Sequence, residues 1–501
     1  MKKQLVKYLY ILLATGTVIA SSCSKVDDFG NLNTSPNSPA VPQTSLLLTN
    51  AERYLGNTST TASAASVINA NAQRLFVQYM SETLYTSESR YATTTYDYSG
   101  IYNNPLEDLQ TIIKLNTDAA TKNASYVTVG GPNESQIAAA RILKAFYFLN
   151  ITDRWGDIPY SEALQGLAKV TPKFDTQESV YTSLFAELKA AAAQFGTGNL
   201  PGDFLFKGSV TTWKKFAATM RLNMALRLSK VNPTLGRTEF NAALADGVLT
   251  SNADNIVYSF LGEAANANNI YSNYEVDKRY DYAVSKTVVD QLNAIADPRL
   301  PVYADKTSAG TYVGMPYGLT QSQSSAFSIG TVGVPGNVSR IGQQFRSQSS
   351  PVTIYTYAMV QFDKAEAYKL GWITGAPDDT QAAASYLAGI NASFAQYGVT
   401  APATYFTQAG VAYNSATAIQ QIITQKWIAN YMGYANETWD DYRRTGYPVL
   451  TPSPAALSID KLIPRRQNYS VTESQLNGDN YKAVIARQGP DVTSTRIWWD
   501  K

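Results

Sequence analysis

The chain has 501 residues, of which 45% are hydrophobic and 16% charged, the composition of a folded globular protein with one large or two ordinary domains. It contains no histidine and one cysteine, which excludes His-based catalysis, His-ligated metal sites, intrachain disulfides and CxxC redox pairs. The 41 basic and 39 acidic residues nearly balance, so the chain offers no electrostatic footprint for nucleic acid.

The first 22 residues are typical of a bacterial lipoprotein signal peptide. Three lysines precede the apolar run YLYILLATGTVIA, which is too short to span a membrane. An Ala-Ser-Ser stretch then leads to Cys23, a pattern similar to a lipobox, in which cleavage precedes a cysteine that becomes lipid-modified. The alternative is an ordinary secretory peptide cut in the same stretch. We predict a signal peptide over 1–22 and lipidation of Cys23, because two or more acyl chains anchor a protein stably.

Residues 23–45 are predicted to form a tether between the lipid and the folded part of the chain. Pro36, Pro39 and Pro42 prevent a regular helix in this segment. No later stretch approaches 18 consecutive apolar residues, so the lipid would be the membrane attachment. The remainder, 46–501, is predicted to be a single domain.

Helices dominate the segments that follow. In 213–231, for example, Trp213, Met220, Met224 and Leu228 recur at spacings that place them on one side of a helix. The predicted helices cover residues 137–150, 178–195, 213–231, 286–296, 357–372, 380–397 and 418–432. Few runs show the alternation of strands. We therefore predict a mostly α-helical scaffold of helix pairs with the size of tetratricopeptide repeats.

Long irregular stretches separate the helices. The clearest are 87–105, 269–282 and 304–351, which are rich in Gly, Ser, Asn and Tyr. Loops longer than about 15 residues are usually functional or disordered. Tyrosine argues for order, since its large apolar face favours burial. We predict large ordered loops carried on the helical scaffold.

Several phrases in a fixed order resemble the SusD/RagB family of Bacteroidetes outer-membrane lipoproteins. They are DRWGDIPYSEAL (153–164), VDQLNAIADPRLPVYAD (289–305), FDKAEAYKLGWITG (362–375), QKWIANYMGYANETWDDYRRTGYPVL (425–450) and the terminal WWD (498–500). Together with the lipobox, the resemblance covers nearly the whole mature chain. It implies tetratricopeptide-like helix pairs with a large loop-rich ligand-binding face, an α-α superhelix.

The resemblance also implies a function. Family members sit on the outer leaflet of the outer membrane and capture a nutrient, usually an oligosaccharide and in some branches a peptide. They pass it to a partner, a TonB-dependent transporter of the SusC type, and are binding proteins without enzymatic activity or cofactor. We therefore expect a surface-exposed, lipid-anchored nutrient-binding protein.

Tyrosine is the main indication of a binding site, with 34 Tyr against 17 Phe and 7 Trp. A stiff ring that carries a hydroxyl can stack on the C–H face of a sugar and hydrogen-bond its hydroxyls. The candidate ligand-binding residues, taken loop by loop, are Arg90, Tyr91, Tyr96, Tyr98, Tyr102 and Asn103, then Tyr271, Tyr274 and Tyr280, then Tyr312 and Tyr317. For each tyrosine the alternative is packing of its loop onto the scaffold.

The acidic phrases invite an enzymatic interpretation. Glu437, Asp440 and Asp441 lie beside Arg443 and Arg444, and a surface glycoside hydrolase would need such carboxylates on both sides of a glycosidic bond. Acids next to arginines more often form structural ion pairs, which is the interpretation we favour. It extends to the acids of DRWGDIPYSE. The third possibility is a helical-repeat adaptor without a small ligand.

Other chemistry finds little support. The sequence has no phosphate-binding loop and no G-x-S-x-G nucleophile elbow. We predict no catalytic and no metal-binding residues, although a calcium site of scattered Asp and Asn oxygens stays open. Without histidine, ligand binding is expected to be nearly flat between about pH 6 and 8.

Overall fold

The computed structural model describes residues 41–57, 66–92, 96–331 and 333–501. The predicted signal peptide, Cys23 and most of the tether lie outside these residues. Residues Thr44–Lys501 form one compact unit, which contains the helices and strands named below. In the part of the chain that is described, no helix has both the length and the apolar character that a membrane span requires.

Helices make up about half of the described residues. The longer ones are α1 Thr44–Tyr54, α2 Asn71–Phe76, α3 Glu107–Thr117, α4 Asn133–Trp155, α5 Gln177–Gln194, α6 Val210–Arg227, α7 Pro233–Asp246, α8 Lys286–Ala294, α9 Tyr357–Lys369, α10 Asp379–Tyr397, α11 Ala418–Ala429, α12 Ala435–Thr445, α13 Val471–Leu476 and α14 Gly478–Gln488. Shorter helical segments are Ser99–Ile101, Tyr102–Leu106, Ser125–Thr128, Asn269–Tyr271, Ser272–Val276, Leu300–Tyr303 and Gln321–Ser324.

The strands are short and form four two-stranded antiparallel sheets among the described residues. They are β1 Met80–Glu82, β2 Ile158–Pro159, β3 Phe174–Asp175, β4 Ile256–Tyr258, β5 Tyr282–Val284, β6 Gly330–Thr331, β7 Val334–Pro335 and β8 Val352–Tyr355. The pairs are β1 with β5, β2 with β3, β4 with β8 and β6 with β7. Two of these pairs, β1 with β5 and β4 with β8, join segments far apart in the chain, so they fasten the loops to the scaffold.

Successive helices pack as pairs, which confirms the predicted mostly α-helical architecture. The pairs are α4 with α5, α6 with α7 and α9 with α10, and α11 packs against α9. All seven predicted helices are present, with shifted ends. The segment predicted as 213–231 begins earlier, because the Ser209 hydroxyl caps the helix by accepting a hydrogen bond from the Thr212 amide at 3.2 Å.

Some helices were missed although their signals were present. α7 begins with Pro233, and the Asn232 side chain caps it by accepting a hydrogen bond from the Leu235 amide at 3.1 Å. The stretch 87–105 was predicted as a loop, but its last part is helical and runs through Tyr102–Leu106 into α3. Pro105 lies inside the π-helical turn of this segment.

Candidate ligand-binding site

Main-chain hydrogen bonds bring the predicted loops together. The β1–β5 pairing continues past the strands, where the Thr83 amide donates to the Asp281 carbonyl at 2.8 Å. The Lys286 amide donates to the Met315 carbonyl, also at 2.8 Å, which attaches the third loop to the second. Residues 83–92, 269–281 and 304–346 are therefore neighbours in the fold. We call the surface that they form the loop face.

Four of the candidate tyrosines are buried and serve as loop anchors. Tyr91, Tyr96, Tyr98 and Tyr274 are 1%, 6%, 2% and 0% exposed. The Tyr98 ring meets Trp155 edge-on with 5.0 Å between centroids, and the Tyr274 hydroxyl donates to a main-chain carbonyl at 2.5 Å. In this conformation none of the four presents a ring face to a ligand. For these four residues the alternative considered above applies: they pack their loops onto the scaffold.

The remaining candidate residues of the first loop contact different parts of the chain. The Tyr102 hydroxyl donates to the Pro159 carbonyl at 2.6 Å, and Asn103 is exposed on the same helical turn. The Arg90 guanidinium donates through Nε to the Ala455 carbonyl at 2.9 Å. These contacts hold chain segments together, and the structure does not bring the first-loop residues into one constellation.

The second and third loops do present rings at the surface. Tyr271, Tyr280, Tyr312 and Tyr317 are half-buried, so part of each side chain remains accessible. Two of them have a cation at the ring: the Arg340 guanidinium lies 5.7 Å from the Tyr280 centroid, and the Lys306 ammonium lies 5.8 Å from that of Tyr312. Each pair offers a flat apolar surface next to a hydrogen-bond donor.

Tyr85 was missed by the sequence analysis and is the most exposed of these rings. It is 68% exposed, and the Arg279 guanidinium lies 5.1 Å from its ring centroid. Its backbone has a φ of +54°, which is rare for a bulky residue, and its amide donates to the Gln321 side chain at 2.7 Å. Such strain persists only where the surroundings impose it, and it concentrates at functional sites. No sequence signal distinguishes Tyr85 from the other tyrosines.

A cleft of about 210 Å³ opens in the third loop segment. We call this feature the cleft. The residues that line it are Asp305, Lys306, Ile329, Thr331, Gly333, Val334, Pro335, Gly336, Val338, Arg340 and Arg346. The combination of apolar walls with a few polar groups is typical of small-ligand sites. This volume is somewhat below the range of about 300–1,000 Å³ usual for enclosed small-ligand sites. The rings of Tyr312 and Tyr280 lie next to the cleft, since they face two of its lining cations, Lys306 and Arg340 respectively.

The β6–β7 hairpin forms one wall of the cleft and depends on glycine. Gly330 has a φ of +74°, and a Cβ there would lie 2.0 Å from the Val334 carbonyl oxygen. A Cβ on Gly336 would lie 1.9 Å from the Ser328 carbonyl oxygen. Any side chain at these positions would push the two strands apart, so the close approach of the two backbones requires glycine.

The acidic phrase of the C-terminal half forms buried ion pairs, as predicted. The Arg227 guanidinium lies 2.7 Å from Glu437 and 2.6 Å from Asp440, and Arg444 lies 3.0 Å from Asp441. All of these side chains are buried. They connect α6 to α12, and none of them lines the cleft or lies on the loop face.

The acids of DRWGDIPYSE also have structural partners. Asp153 lies 3.4 Å from Arg227 and accepts a hydrogen bond from the Trp499 indole at 2.9 Å, while Asp157 pairs with Arg487 at 2.6 Å. Burial raises the pKa of Asp153, and Arg227 opposes that rise. Across the described ranges, no group of three or more Asp, Glu, His or Cys residues could hold a metal ion.

The fold and the loop face define a helical binding protein, and comparison identifies its family. The chain belongs to the SusD-like family described as starch-binding and associating with the outer membrane, whose model matches residues 36–470. The predicted membership is therefore confirmed. A search of curated proteins gave no match.

Solved structures agree with this assignment. A chitin-binding protein is 27% identical with a TM-score of 0.72, over 92% of this chain and 99% of its own. A chitin-binding SusD homologue from Flavobacterium johnsoniae is 26% identical with a TM-score of 0.70, over 91% and 97%. A SusD homologue from Bacteroides fragilis has a TM-score of 0.75 at 24% identity, over 91% and 100%, and shows the fold alone.

Proposed function

We propose that this protein is lipid-anchored at the surface of the outer membrane, binds an oligosaccharide at the loop face and delivers it to a TonB-dependent transporter of the SusC type. The proposal rests on one observation above all: three accessible tyrosines of the loop face, Tyr85, Tyr280 and Tyr312, each have a cation at the ring, and the cations at the last two line a cleft of about 210 Å³. Family membership supports a carbohydrate ligand, and the two chitin-binding relatives make chitin oligosaccharides the first to test. A peptide is the alternative cargo.

The chemistry of these rings suits capture and release. Each aromatic contact contributes about 0.5–1.5 kcal/mol, and each hydrogen bond to a sugar hydroxyl about 1 kcal/mol. A site with a few such contacts would bind in the micromolar to millimolar range, which permits transfer to a partner. The buried, ion-paired state of the acidic phrases supports binding without cleavage of the ligand.

Alanine at Tyr85, Tyr280 or Tyr312 is expected to weaken binding of chitin hexasaccharide about 2- to 10-fold each, because each change removes one stacking surface. Isothermal titration calorimetry measures the effect. Tyr126→Ala is the matched control, since this half-buried tyrosine lies in a segment that packs against α1. Unchanged affinity in a variant that carries all three alanine substitutions would contradict the loop face as the binding site.

The same binding assay tests the enzymatic alternative. The protein is incubated with the hexasaccharide, and the products are followed by mass spectrometry. The hexasaccharide is expected to be recovered intact. Appearance of shorter oligosaccharides would contradict the proposal and favour a surface glycoside hydrolase.

Cys23→Ser is expected to release the protein from the membrane fraction, because the thiol that carries the acyl chains is lost. Cell fractionation and metabolic labelling with an alkyne fatty acid measure the loss of anchor and of lipid. Ser38→Ala, in the predicted tether, is the control and should remain lipidated. If the Cys23→Ser protein stayed membrane-bound, the lipid anchor would be wrong.

Delivery to a transporter is tested in the membrane of the source organism. Affinity-tagged protein, solubilised in mild detergent, is expected to co-purify a TonB-dependent transporter. Protection of the protein from added protease on intact cells would contradict surface exposure. Isolation of the anchored protein without any transporter would contradict the partnership but leave saccharide binding intact.

A further inference from the structure

The side chains that line the cleft carry an excess of positive charge. The ionisable groups among them are three cations, Lys306, Arg340 and Arg346, and one anion, Asp305. Arg346 is paired with Asp305 at 2.5 Å and lies 3.9 Å from Glu275. Even when both acids are counted, one positive charge remains without compensation, and it stands in a concave, partly apolar wall where the field is concentrated.

Lys306 and Arg340 have no carboxylate within 4 Å in the described ranges. Lys306 is exposed at the rim, and its ammonium lies 5.8 Å from the centroid of the Tyr312 ring. It is therefore free to swing toward a bound ligand.

Arg340 is the more unusual of the two, because it is only 9% exposed. Its Nε donates to the Ile329 carbonyl at 2.9 Å, its guanidinium faces the Tyr280 ring, and its Nη2 has no hydrogen-bond partner. A buried cation without an anion is costly, since desolvation is not repaid by a counter-charge. Arg74 and Arg154 are also buried without an ion pair in the described ranges, but each donates hydrogen bonds to several oxygens, and neither lines the cleft.

We propose that the cleft receives an anionic substituent of the saccharide, either the carboxylate of a uronic acid or a sulfate ester. This inference rests on the proposed function and names the class of its ligand. Both substituents present several acceptor oxygens on one negative centre, which a planar guanidinium and a mobile ammonium bind through charge-assisted hydrogen bonds. The sugar ring that bears the substituent would then lie against Tyr280 or Tyr312.

Stacking on the sugar ring and recognition of its negative charge would take place side by side. The rings of Tyr280 and Tyr312 contact the same two cations that line the cleft, so stacking and charge recognition share their residues. The exposed Thr331 at the hairpin adds a hydroxyl to the lining. A neutral oligosaccharide would use the rings alone and leave the cations unpaired.

The test uses the full-length mature protein on a glycan array that contains neutral, uronic-acid and sulfated glycans. Binding is then quantified by calorimetry with chitin hexasaccharide and its C6-carboxylated and 6-O-sulfated forms, which share one backbone. We expect the strongest binding to acidic glycans, and 0.5 M NaCl should weaken it because salt screens exposed charges. The carboxylated and sulfated arms distinguish the two sources of charge.

Lys306→Glu is the main variant, since this exposed side chain has no role in packing. It is expected to weaken binding of the acidic glycans roughly tenfold, as loss of a charged contact does, and to weaken binding of the neutral hexasaccharide by a clearly smaller factor. Arg340→Gln should act in the same direction, with circular dichroism as the check on folding. Lys189→Glu, exposed on α5, makes the same charge change as a matched control.

The outcomes separate this inference from the function on which it rests. Binding confined to neutral glycans, or acidic binding that neither Lys306→Glu nor salt weakens, would overturn the anionic ligand and leave saccharide binding in place. Absence of binding to every glycan on the array would overturn both.

Discussion

Replacement of Arg227 by alanine is expected to lower the free energy of unfolding by roughly 3–5 kcal/mol, the cost of removing one partner from a buried ion pair. Arg227 contacts Glu437 at 2.7 Å, Asp440 at 2.6 Å and Asp153 at 3.4 Å, and all four side chains are buried. Its loss leaves three carboxylates with insufficient positive charge around them. Urea denaturation followed by circular dichroism measures the change.

The same variant should be sensitive to pH in a defined direction. Burial raises the pKa of Asp153 and of Glu437, and Arg227 opposes the rise in both. Without Arg227 both values rise further, so folding takes up protons, and stability is lost as pH rises through the folded-state pKa. The destabilisation should therefore be larger at pH 8 than at pH 5.

Two further variants separate charge from geometry. Arg227→Lys keeps the charge but cannot reach several carboxylates with a planar fork, so an intermediate loss is expected. Arg237→Ala, on the exposed side of α7, is the matched control and should change stability by less than about 0.5 kcal/mol. A loss below about 1 kcal/mol for Arg227→Ala would contradict the structural role of this ion-pair cluster.

Glu82→Gln is expected to stabilise the protein increasingly as pH rises from about 5 to 8. Burial raises the pKa of Glu82 to about 8, and the nearby Glu88 adds to the rise. The neutral form of a group with a raised folded-state pKa stabilises the fold fully below the unfolded pKa of about 4.3. That contribution is lost as pH rises toward 8, by about 1.4 kcal/mol per pH unit.

Glutamine removes this titration while preserving the local hydrogen bonds. One Glu82 oxygen accepts from the Ser89 amide at 2.8 Å and from the Ser89 hydroxyl at 2.7 Å, and an amide oxygen can accept both. The measurement is the difference in unfolding free energy between variant and parent at pH 5, 6.5 and 8. Glu178→Gln, exposed on α5, makes the same substitution as a control. A difference that does not change with pH for Glu82→Gln would contradict its raised pKa.

The raised pKa of Glu82 is a property that composition alone could not establish. The absence of histidine predicts little titration near neutrality, and for ligand binding that stays a prediction. For folding stability the tertiary structure provides other groups, since burial also raises the pKa of Asp363 to about 7. A carboxyl enters this pH range only when distant segments bury it, which no local pattern reports.

The candidate binding site shows the same difference between what the sequence indicates and what the tertiary structure adds. Tyr85 and Tyr91 are six positions apart in one loop and look equivalent in the sequence. Tyr91 packs against Phe76 and its hydroxyl accepts a hydrogen bond from the Ser453 amide at 3.2 Å, whereas Tyr85 turns outward. Lys306 and Arg340 line one cleft because Ala304 pairs with Ile341 across the third loop.

The sequence by itself determined the helical scaffold, the family and the pairing of acids with arginines in the C-terminal phrase. These features follow from periodicity, composition and neighbouring residues, which act over a few turns of chain. Only the tertiary structure decided which tyrosines reach solvent, which carboxyls hold their protons and which cations face the cleft. Those properties depend on burial and on contacts between residues hundreds of positions apart.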